Sequence, residues 1–78
     1  MARVTVYLRT SLFTLKGEQA HLPAGAMVLE GDELEGASGG LRLQVDAARD
    51  ERGRDLGPVA VTLRLPWAKI DHVVEATD

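Results

Sequence analysis

Apolar and polar residues alternate with a period of two along most of this chain, the spacing of strands that bury one face and show the other to water. The longest such run is in residues 58–75, PVAVTLRLPWAKIDHVVE, where Val59, Val61, Leu63 and Leu65 alternate with Ala60, Thr62 and Arg64. Pro66 has no N–H to donate and a fixed φ, so PWAK is expected to form one tight turn, of 3₁₀ type, before IDHVV resumes an extended course. Val4, Val6 and Leu8 alternate with Thr5, Tyr7 and Arg9 in a second strand, and Leu41, Leu43 and Val45 with Arg42, Gln44 and Asp46 in a third, running to about Ala48.

Between the first and third strands the pattern is less regular. Phe13 and Leu15 point one way until Gly17 interrupts the alternation, after which Ala20 and Leu22 become the inward pair. A glycine in that place predicts a bulge or bend in one long strand spanning Leu12 to Leu22. Pro23, Ala24 and Gly25 make a turn, and GASGG at 36–40 is loop chemistry. The window from Ala26 to Glu35 fits neither the helical nor the strand period, so both a short strand and a helical turn stay open. Charges alternate around a glycine in RDERGRDLG at 49–57, the signature of a solvated hairpin loop. The expected fold is therefore all-β: one domain over residues 1–78, a small, partly open antiparallel barrel of five to six strands with a bent second strand and a one-turn corner before the last.

At 78 residues such a domain buries only about 60% of the surface its unfolded chain exposes. Small domains of this kind lean on disulfides, metals or self-association. The chain has no cysteine, which removes disulfides and thiolate zinc sites, fits a cytoplasmic location and leaves packing and self-association. MARVTVYLRT lacks the apolar core of a secretory signal, and no apolar run approaches the ~20 residues of a membrane helix. A formal net charge of −3 argues against holding nucleic acid by bulk charge. The chain contains no Asn, with seven Arg to two Lys, a bias that heat adaptation and a GC-rich genome both produce.

The layout supports a comparison with known small barrels. The segment VTVYLRTSLFTLKGEQAHL resembles the first half of an Sm-like or SH3-like barrel, and residues 58–75 are similar to the closing half. The resemblance implies a barrel that self-associates through its edge strands. The Asp and Asn that Sm-like proteins carry after the bent strand, and their Arg–Gly or Lys–His final turn, have no counterpart here, where PAGAM and PWAK stand instead.

Candidate chemistry is sparse. Glu30, Asp32, Glu33 and Glu35 lack the ligand spacing and central glycine of a calcium loop and are expected to form a solvated acidic turn. His21 and His72 are too few for zinc; His72 and Asp71, adjacent in a strand, should diverge to opposite faces. No serine sits in a nucleophile elbow and no glycine run cradles phosphate. The expectation is a protein with no catalytic residues, no metal and no cofactor. Trp67 is expected either to cap the open end of the core or to anchor a partner. Arg3, Arg9, Arg42 and Arg64, together with Tyr7, share the outward phase of their strands. They compose a face for a protein partner or, through aromatic and basic interleaving, for single-stranded nucleic acid; cross-strand ion pairs with residues such as Asp46 are the competing outcome. The leading expectation is a self-associating, homo-oligomeric binding or assembly module that makes no use of a membrane, and the alternative is a single-stranded RNA or DNA binder.

Overall fold

A computed structural model of the protein describes residues 2–11, 25–35 and 39–75. These form five antiparallel strands in one sheet: β1 (Arg3–Leu8), β2 (Val28–Leu34), β3 (Gly40–Arg49), β4 (Asp55–Pro66) and β5 (Ile70–Glu75). The order across the sheet is β4-β3-β2-β1-β5. A single 3₁₀ turn over Trp67–Lys69 joins β4 to β5, and Pro66 enters it with φ −65° and ψ 146°. The corner expected from PWAK is therefore present, and the fold is all-β. The expected bent strand over residues 12–22 lies outside the described residues.

The two-residue period produces the core directly. Val4, Val6 and Leu8 of β1, Leu41, Leu43 and Val45 of β3, Val59 and Leu65 of β4 and Ile70 of β5 all join one buried cluster with Leu29 of β2. Both end strands of the single sheet contribute to that one cluster, so the sheet curls around it. On either side of the corner Leu65 and Ile70 are both buried. Farther along, Val61 and Leu63 of β4 and Val73 of β5 are only half-buried, so the barrel stays partly open along the seam between its edges.

The window from Ala26 to Glu35 resolves as strand. Its inward positions are Leu29 and Gly31, and a glycine contributes nothing to a hydrophobic period. It is glycine for a steric reason: a Cβ at position 31 would lie 2.0 Å from the carbonyl oxygen of Gln44. At the same place Glu30 pairs with Ala47 and Gly31 with Val45, so Asp46 is an extra residue on β3. This bulge re-phases β3, whose buried positions run Leu41, Leu43, Val45 and then Ala48.

The charged stretch at 49–57 forms a loop shorter than its composition predicts, because β3 continues to Arg49 and β4 already begins at Asp55. Asp50 organises the turn between them. Its carboxylate accepts the backbone N–H groups of Arg52 and Arg54, each at 2.9 Å, and Nε of Arg54 at 2.9 Å. Gly53 supplies the left-handed residue at φ 78°. The alternating charges close the turn locally, so the strands can extend into the run.

Candidate functional site

The outward-facing residues fall into rows set by the register. The first row is His72, Tyr7, Val28 and Arg49, and the next carries Val74, Thr5, Glu30 and Ala47. A third holds Arg3, Asp32, Gln44 and Thr62, and the last holds Leu34, Arg42 and Arg64. Tyr7 and the Arg42/Arg64 pair therefore occupy opposite ends of the face. Val28 and Leu34 are six residue steps apart along β2, a span of about 20 Å at strand rise.

Tyr7 lies flat against His72, with ring centroids 4.4 Å apart and planes 10° from parallel. His72 also takes a 2.8 Å hydrogen bond between Nδ1 and Oδ2 of Asp71. The expected divergence of these neighbours fails because the ladder slips. Tyr7 pairs with His72 but Leu8 with Ile70, leaving Asp71 as an extra, bulged residue that swings to the imidazole's side. Tyr7 also lines a shallow cavity of about 330 Å³ together with Leu8, Met27, Val28, Arg49 and Asp50. Sequence reading missed this stack, since pairing across strands depends on a register that alternation within one strand does not specify.

The four arginines behave differently from one another. Arg3 is held by Asp46 through two guanidinium contacts, the Nη2 to Oδ1 bond being 2.8 Å, and lies 3.9 Å from Asp32. Arg9 sits just past the end of β1, where its backbone N–H donates to the Lys69 carbonyl at 2.9 Å and its Nε to the Ile70 carbonyl at 3.2 Å. It ties the corner to β1. Arg42 and Arg64 face each other directly across β3 and β4, and among the described residues neither enters an ion pair.

The carboxylates at 30–35 do not form a turn. They lie on β2 and its immediate end, where Glu30 bonds Arg49 at 2.9 Å and Asp32 faces Arg3. A hydrophobic period masked by Gly31 made a strand look like an acidic turn. Among the described residues no group of three or more acidic, His or Cys side chains is placed to hold a metal ion. His21 lies outside the described residues.

Trp67 does not cap the core. It is 54% exposed and stands outside the buried cluster, and Leu65 and Ile70, at 4% and 6%, seal that end instead. The 3₁₀ turn lifts residues 67–69 away from the interior, and none of the three is buried. Among the described residues no helix is long and apolar enough to cross a membrane.

No family model, curated protein or solved structure matches this chain.

Proposed function

We propose that the protein is a non-enzymatic binding or assembly module that self-associates through the edges of its sheet, as the resemblance to Sm-like and SH3-like barrels implies. The observation that carries this reading is the strand order. β4 and β5 stand at the two ends, each with one neighbour among the described residues, so within the described sheet each has an edge row of backbone donors and acceptors. The same edges carry apolar surface. Val61, Leu63 and Val73 are half-buried and Val74 is 48% exposed, and pairing with a second copy would cover them. A reducing, cytoplasmic setting fits a chain without cysteine.

Sedimentation velocity across micromolar concentrations tests the proposal. A discrete oligomer is expected, and Val74→Lys, which places a charge on exposed β5 surface, should shift it towards monomer. A compact monomer throughout the range would overturn the reading. The single-stranded nucleic-acid alternative draws its support from the Arg42–Arg64 end of the face and exposed Trp67, since Arg3 and Arg9 already have partners within the fold.

A further inference from the structure

The register places Arg42 of β3 directly opposite Arg64 of β4, and Gln44 opposite Thr62 one row away on the same face. Directly opposed residues of an antiparallel pair have Cβ atoms ~5 Å apart, and like charges at that separation are destabilising. The neighbouring pair, Gly40 and Pro66, brings no carboxylate, and among the described residues no ion pair relieves either arginine. Asp46 is taken by Arg3, and Asp32 on β2, which lies beside Gln44, is 3.9 Å from the same arginine.

We infer that Arg42, Arg64, Gln44 and Thr62 form a binding site for a phosphate-class oxyanion. Two guanidinium forks offer paired N–H groups to two oxygens each, and an anion seated between them removes the repulsion that the register imposes. Gln44 contributes an amide N–H₂ and Thr62 a hydroxyl. Donors on two sides of the cradle suit a tetrahedral anion with four oxygens better than a carboxylate with two. The ligand is free phosphate, a phosphomonoester or the phosphodiester backbone of a nucleic acid, which share this chemistry.

Trp67, the single tryptophan of the chain, stands three residues beyond Arg64 and reports binding by its fluorescence. The full-length protein is titrated at matched ionic strength with inorganic phosphate, with acetate, and with a mixed-sequence single-stranded oligonucleotide. Amide and side-chain NMR shifts are followed in parallel. Phosphate is expected to saturate and to move the signals of residues 42–44 and 62–64, including the Gln44 side-chain amide, while acetate binds at least tenfold more weakly. R42Q/R64Q should lose tenfold or more in phosphate affinity, since each lost charge-assisted bond is worth about that factor. R42K/R64K, which keeps both charges but lacks the forks, should fall between the two and guards against a folding defect in the glutamine variant. Oligonucleotide binding tighter than that of equal inorganic phosphate assigns the site to a phosphodiester; equal or weaker binding assigns it to small phosphates. Phosphate affinity unchanged in both double variants, or matched by acetate, would overturn the inference, whatever the oligomeric state.

Discussion

Arg3 reaches past the whole width of β2 to hold Asp46, the residue that the bulge in β3 leaves over. The hydrogen bond from Arg3, reinforced by its charge, keeps the Asp46 carboxyl below its ordinary value against the opposing effect of burial. Asp50 is likewise lowered, chiefly by the backbone N–H of Arg54. A carboxyl lowered in the folded state stabilises the fold above its unfolded value, near 4, and that contribution is lost as pH falls through the folded value. Urea unfolding between about pH 6 and 2 is therefore expected to show stability falling from below about pH 5. Asp46→Asn should flatten part of that slope and leave the part due to Asp50; a slope identical to that of the natural protein would contradict the assignment.

Gly31 cannot accept a side chain. A methyl group there meets the Gln44 carbonyl at 2.0 Å and its carbon at 2.8 Å, and backbone at the centre of a sheet does not yield as a flexible side chain would. Gly31→Ala should cost about 3 kcal/mol or more. At Gly53 nothing lies within 4 Å but φ is +78°, so Gly53→Ala should cost only the left-handed backbone strain, about 1 kcal/mol. Denaturant midpoints of the two variants separate steric exclusion from conformational strain.

The corner and the core should respond differently to truncation. Leu43 is fully buried, and Leu43→Ala is expected to cost about 2–5 kcal/mol. Trp67→Ala should stay within about 0.5 kcal/mol because its ring lies outside the core. Pro66→Ala should cost about 0.5–1 kcal/mol, through the unfolded chain that proline restrains. A large loss of stability in Trp67→Ala would return the tryptophan to the role of a lid.

The Tyr7–His72 stack joins β1 to an edge strand. A double-mutant cycle with Tyr7→Ala and His72→Ala should yield a coupling of about 0.5–1 kcal/mol, the scale of cross-strand aromatic pairs. A coupling indistinguishable from zero would mean that the rings touch without contributing.

The strands β1, β3, β4 and β5, the corner at Trp67–Lys69 and the inward apolar residues of β1, β3 and β4 were legible from the sequence, because burying one face of a strand imposes a period of two on its own residues. Gly31 hid β2, since close approach of two backbones selects for the absence of a side chain and leaves no hydrophobic mark. The arginines show the same division. That Arg3, Arg42 and Arg64 point outward follows from their phase, but which of them has a partner does not. Arg3 found Asp46 through a bulge, and Arg42 met Arg64 through a register that pairing between strands establishes.

The sequence by itself determined that this protein is an all-β structure with a proline corner, because periodicity, proline and glycine act over a few residues. Only the tertiary structure decided the order of the strands, the place of β4 and β5 at the ends of the described sheet, the exposure of Trp67 and the meeting of Arg42 with Arg64. Those depend on contacts between residues far apart in the chain, where bulges of a single residue change which side chains face one another.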